Sequence, residues 1–138
     1  MVTLNPYLGF RDNAREALEF YHGVLGGDLT MSTFEEFHMS DDPAIKDRIM
    51  HGQISSGGIV LMASDAPEEM YTPAAGVSIS LSGGPDEESE LRGYWDRLSA
   101  GASVEQPLET SPWGDTFGML TDRFGVRWMV NIGGTPQG

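Results

Sequence analysis

His51 is the residue of this chain best suited to chemistry. It lies in the middle of a strand-like run, residues 49–55, and its position reads as sharing a face with Ile49 and Gln53. An imidazole there could act as a general base or hold a polar group of a ligand. The structural alternative is a histidine bonded to a neighbouring backbone or carboxylate group. Arg127 alternates with Val126 and Trp128 in a second strand-like run, so it faces away from the apolar side. Its guanidinium could grip a carboxylate or phosphonate through two parallel bonds, or pair with an acidic neighbour. Trp113 stands in Trp113-Gly114-Asp115, a loop sequence before another strand. An aromatic in such a loop can close a pocket or meet another chain. His22, near a helix end, and His38, in a polar stretch, read as surface residues.

Residue types exclude several other chemistries. The chain has no cysteine, so disulfides, thiolate catalysis and Cys-ligated zinc are out. It has no Ser-His-Asp order, glycine-rich phosphate loop or His-x-x-x-His spacing. Asp41, Asp42 and Asp47 lack the spacing of a calcium-binding loop. The 21 acidic residues against 8 basic ones give a net charge of −13. That surface repels phosphate backbones and anionic lipid, so neither nucleic acid nor membrane is an expected partner. The first residues carry no basic segment followed by an apolar run, and no stretch reaches membrane-span length. A cytoplasmic protein is therefore expected.

The elements that must position these residues come in two similar sets. Residues 3–10 read as a strand with Pro6 at an edge or bulge. Asn13 followed by Glu16 reads as a capping box opening a helix that runs to about Leu25. Gly26-Gly27 closes it. Residues 28–37, 49–55 and 59–64 read as strands, the last two forming a hairpin turned at Gly57-Gly58. After an acidic, proline-containing connection at 65–73, residues 77–81 read as a strand, with Val77, Ile79 and Leu81 on its apolar face. Gly83-Gly84-Pro85-Asp86 leads into a helix to about Ala100, with Leu91, Tyr94, Trp95 and Leu98 on one face. Residues 104–108, 116–121 and 126–132 follow as strands, the last two turned by Asp122 to Gly125. Trp95, Phe124 and Trp128 read as core, and Asp65 and Asp122 as turn residues. Phe20-Tyr21 ahead of Gly26 matches Tyr94-Trp95 ahead of Gly101. The organisation is thus β-α-β-β-β twice: residues 1–65, residues 74–132, and a flexible tail at 133–138. Such a repeat points to a two-module fold around a shared cup.

Local sequences carry a resemblance. Pro6-Tyr7-Leu8-Gly9-Phe10, Ala17-Leu18-Glu19-Phe20-Tyr21, Ile49-Met50-His51-Gly52 and Ile59 through Asp65 come in order. Trp113 through Met119 and Thr121 through Val130 complete the set. Together they resemble the PhnB-like branch of the vicinal oxygen chelate superfamily, the fold of glyoxalase I, bleomycin-resistance proteins and extradiol dioxygenases. The resemblance covers nearly the whole chain. It implies an α+β fold, two βαβββ modules forming a cup-shaped sheet, and a homodimer. It does not imply one reaction, because this fold hosts many.

Metal-dependent members set His, Gln or Glu on four cup-facing strand positions. By local alignment these fall near Asn5, near Met62, on Ser78 or Ser80, and on Met129. None is a good ligand for zinc, nickel or iron, so no metal and no cofactor is expected. The expected cup lining is Tyr7, His51, Met62, Ser78, Ser80, Trp113, Arg127 and Met129. Methionines tolerate varied shapes, and the mixture suits a small organic molecule with a polar or anionic end. The leading expectation is metal-independent binding of such a molecule. The alternatives are a glyoxalase-, dioxygenase- or isomerase-type enzyme with His51 as its base, or an interaction module with a vestigial cup.

Overall fold

A computed structural model describes residues 4–36, 38, 42–66 and 77–134. The chain divides into two units, Met1–Pro73 and Ala74–Gly138. Each builds one helix against one face of a four-stranded mixed sheet.

In the first unit the elements are β1 (Tyr7–Phe10), α1 (Ala14–Leu25), β2 (Asp28–Thr33), β3 (Ile49–Ser56) and β4 (Ile59–Asp65). The sheet order is β1-β4-β3-β2, with β1 parallel to β4 and the other pairs antiparallel. Ala17, Leu18, Tyr21, Val24 and Leu25 recur at helical spacing and are all buried. They pack on the face carrying Ile54, Leu61 and Ala63. Burying side chains of the size of Leu18 or Ile54 contributes about 2 kcal/mol each. The helix comes close at Gly52, where a Cβ would stand 2.2 Å from a Leu18 methyl.

The expected capping box does not form. Asn13 occupies the N-cap position, but its side chain makes no capping bond. A carboxylate at the end of β4, beside Phe10 of β1, replaces it. Asp65, only 4% exposed, accepts the Ala14 N–H at 2.9 Å with one oxygen and the Ile49 N–H at 2.9 Å with the other. Asp65 thus ties α1, β3 and β4 together and is no simple turn residue. At the other end Gly26 and Gly27 close α1 at positive φ, 72° and 79°. Gly27 has a second reason to be glycine, since a Cβ would lie 2.2 Å from the Ser55 carbonyl oxygen. Ser56 donates its hydroxyl to the Leu25 carbonyl at 2.8 Å, and His22 Nε2 lies 2.9 Å from the Gly27 carbonyl, a bond internal to the helix end.

The second unit repeats the plan with β5 (Ile79–Gly83), a 3-10 turn at Pro85–Glu87, α2 (Glu88–Leu98), β6 (Ser103–Thr110), β7 (Thr116–Thr121) and β8 (Arg127–Ile132). Its sheet order is β5-β8-β7-β6. α2 buries Leu91, Tyr94, Trp95 and Leu98, the face read from the sequence. The strand expected at 77–81 lies two residues later, and Val77 is 64% exposed ahead of it. Asp122 builds the β7–β8 turn, accepting the N–H groups of Phe124 and Val126 and the indole N–H of Trp128. Trp128 is buried, whereas Phe124 is only half-buried. No helix among the described residues is long and apolar enough to cross a membrane. Residues 135–138 of the expected tail lie outside the described residues.

Candidate functional site

In each unit the sheet face away from the helix is the one that collects polar side chains. Strand alternation dictates this, because the other face is filled by the helix contacts. The registers show which residues share a row. In the first unit Tyr7, Met62, Gln53 and Thr30 lie side by side across β1, β4, β3 and β2. In the second, Ser80, Met129, Met119 and Gln106 lie side by side across β5, β8, β7 and β6. The two rows are equivalent positions of the repeat, and each lies one residue beyond a strand glycine that meets the helix, Gly52 or Gly118.

The first unit brings Tyr7, His51 and Met62 together on its open face. Tyr7 is 53% exposed, and its hydroxyl lies 3.2 Å from His51 Nδ1. The rings are tilted by 48° with centroids 5.7 Å apart. β4 runs between their strands, so the phenol reaches across two strand spacings of about 4.8 Å each. Gln53 donates its side-chain N–H to Ser55 Oγ at 3.2 Å. That fixes the amide, and its carbonyl oxygen carries no partner among the described residues.

His51 does not share a face with Ile49. The pairing runs Ser32 to His51 and then Thr33 to Ile49, so Met50 is an extra residue in β3. A bulge of this kind reverses the alternation. Ile49 turns into the core at 1% exposure, while His51 stays half-buried on the open side with Gln53.

In the second unit Ser80, Arg127 and Met129 share the open face, with Ser80 beside Met129 and Arg127 beside Thr121. Arg127 is exposed and has no ion-pair partner among the described residues. Ser78 lies just before β5, outside the ladder. Trp113 is 70% exposed on a tight turn, with no ring contact among the described residues. The turn holds it firmly. Ser111 donates its N–H and hydroxyl to the Asp115 carbonyl, while the Asp115 carboxylate accepts from Gly134 N–H and Asn131 Nδ2. Sequence reading missed Thr30, Ser32 and Ser64 on the first open face and Met119 on the second, where alternation had already placed Asn131 beside Met129. Period-two alternation from the residues it did find would have located most of them.

The donor set does not fit a transition metal. The positions that the family resemblance assigns to metal ligands, near Asn5, near Met62, on Ser78 or Ser80 and on Met129, carry thioethers, a hydroxyl and an amide. Thioethers are soft, weak donors, and neutral oxygens bind zinc, nickel or iron poorly. Among the described residues no group of three or more His, Cys, Asp or Glu lies close enough to hold one ion. A cleft of about 550 Å³ does exist at the start of α1, lined by Asp12, Arg15, Glu16, Asp47, Arg48 and Asp65 among others. No open-face residue reaches it. It is a charged depression between the helix start and residues 43–48, so we place the candidate site on the open sheet faces.

The family description Glyoxalase/Bleomycin resistance protein/Dioxygenase superfamily matches residues 3–130. The chain belongs to this superfamily. This glyoxalase-superfamily chain is 29% identical to protein YjdN of Escherichia coli K12 over 142 residues, covering 95% of each. It is similar to the crystal structure of protein PA1353 from Pseudomonas aeruginosa, with a TM-score of 0.79 and 41% identity over 96% of this chain and 98% of that one. The PhnB protein from Bacillus cereus shares the fold at a TM-score of 0.70, with 23% identity over 95% of this chain and 99% of that one. The paired βαβββ modules are thus those of the superfamily, and the chain is similar in sequence to YjdN and PA1353.

Proposed function

We propose that this chain binds a small, partly apolar organic molecule on its open sheet faces without the help of a metal. The observation that carries this reading is the row Tyr7, Met62, Gln53 and Thr30 with His51 beside it. It offers hydrogen-bonding groups of both kinds next to an adaptable thioether, and it is left uncovered by its own helix. The second face repeats the thioether at Met129 and adds the guanidinium of Arg127, which suits an anionic end. Metal-dependent chemistry finds no support in the donor set.

The competing reading is an acid–base enzyme of glyoxalase, dioxygenase or isomerase type, with His51 as base and Arg127 as anion holder. The Tyr7 hydroxyl against His51 Nδ1 counts against it, because it occupies the ring nitrogen that would otherwise carry the free lone pair.

Two measurements test the proposal. Mass spectrometry of metal content, on protein purified without a tag or chelator, should find far less than one transition metal per chain. A thermal-shift screen of small aromatic acids, amides and carbonyl compounds should find ligands that raise Tm, and Met62→Lys should abolish the shift. About one metal per chain overturns the proposal. So does a ligand whose binding ignores every open-face substitution.

A further inference from the structure

The contact between Tyr7 and His51 decides which way the imidazole is polarised. A phenol O–H is a good donor and its oxygen a weak acceptor, while an unprotonated imidazole nitrogen is a strong acceptor. Across the 3.2 Å contact each group takes its stronger role when the Tyr7 hydroxyl donates to His51 Nδ1. A neutral imidazole that accepts at Nδ1 carries its proton on Nε2. No residue among those described bonds that nitrogen.

We infer that Tyr7 is a positioning residue that holds His51 as its Nε2–H tautomer, so that the first open face presents a hydrogen-bond donor to an acceptor oxygen of the ligand. The class is a carbonyl, carboxylate or phosphoryl oxygen. The polarity is the reverse of that in a catalytic triad. There an acceptor at Nδ1 leaves Nε2 with a lone pair that takes the nucleophile's proton. Here a donor at Nδ1 leaves Nε2 protonated, and the neutral ring is no base toward a ligand. The inference rests on the binding reading above and sharpens it. His51 anchors, and Tyr7 sets the sense of the anchor.

The tautomer can be read without any ligand. Long-range ¹⁵N–¹H spectra of the full chain at about pH 8, where imidazole side chains are neutral, distinguish the two nitrogens. His51→Gln identifies the His51 signals. Wild-type His51 should show a pyrrole-type Nε2 and a pyridine-type Nδ1. Tyr7→Phe, a change at a half-exposed ring, should weaken that preference by admitting the Nδ1–H form, and leave His22 and His38 unmoved. A wild-type His51 protonated on Nδ1 overturns the inference, as does a Tyr7→Phe tautomer identical to wild type. Benzoate and benzylamine then probe the donor. Benzoate should shift the Nε2–H signal saturably although the acidic surface disfavours it. A shift from benzylamine alone, or none from benzoate, overturns the acceptor assignment. Failure of the binding reading looks different. In that case the tautomer is as expected, yet no molecule of the thermal-shift screen binds the open face.

Discussion

At the scale of single residues, Asp65 and Tyr94 carry the sharpest consequences. Asp65 is buried and satisfies two backbone N–H groups that belong to different elements. Asp65→Ala leaves both donors unpaired, and each buried unpaired N–H costs about 1–3 kcal/mol. A loss of roughly 2–6 kcal/mol is expected from urea denaturation midpoints, with a smaller loss for Asp65→Asn, which keeps one acceptor oxygen. Tyr94 makes the molecule sensitive to alkali. Burial, aided by its hydrogen bond to Glu90, pushes its hydroxyl up from 10.0 to about 12, with Arg97 acting the other way. The folded state therefore holds this proton more tightly than the unfolded chain. The stability gained is complete below the unfolded value and is lost as pH rises through the folded one. Denaturation midpoints should fall between about pH 10 and pH 12, and Tyr94→Phe should flatten that fall.

At the scale of elements, both units rely on a glycine in the third strand of the module to let the helix approach. The two glycines should not respond alike. A methyl on Gly118 would meet the Trp95 ring at 2.8 Å and the Leu108 Cα at 3.0 Å, a stiff ring and a backbone atom. A methyl on Gly52 would meet the end of the Leu18 side chain, which can rotate away. Gly118→Ala should cost about 1–3 kcal/mol by overpacking, and Gly52→Ala less. Chemical denaturation of the two variants checks the order. The edge strand β6 is mostly exposed, and it breaks register between Val104 and Gln106 and again between Gln106 and Glu109. Such irregularities, with Pro107 and two glutamates, keep a free edge from pairing with other chains.

At the scale of the whole molecule, charge dominates. A net charge of −13 on 138 residues makes the compact state repel itself. Salt screens exposed charges, with a Debye length near 30 Å at about 0.01 M and near 8 Å at about 0.15 M. Tm should therefore rise over that range, and a Tm that falls would deny the effect. We also propose a homodimer, the assembly implied by the family resemblance. Light scattering should give twice the chain mass of 15.0 kDa.

The sequence by itself determined the two modules and the helix faces, because these follow from local periodicity and residue chemistry. Leu91, Tyr94, Trp95 and Leu98 had to share a face once their spacing was helical. Met129 could be placed because strand alternation is a local rule, whereas Met62 came from the family resemblance. Only the tertiary structure decided what depends on contacts between distant residues. The bulge that separates His51 from Ile49 exists because β3 must meet β2, which no alternation within β3 reveals. Asp65 could replace Asn13 at the helix start only because β4 ends beside it, 51 residues on from Ala14. The contact between Tyr7 and His51 likewise joins residues 44 apart in the chain, and pairing across a sheet alone brings them together.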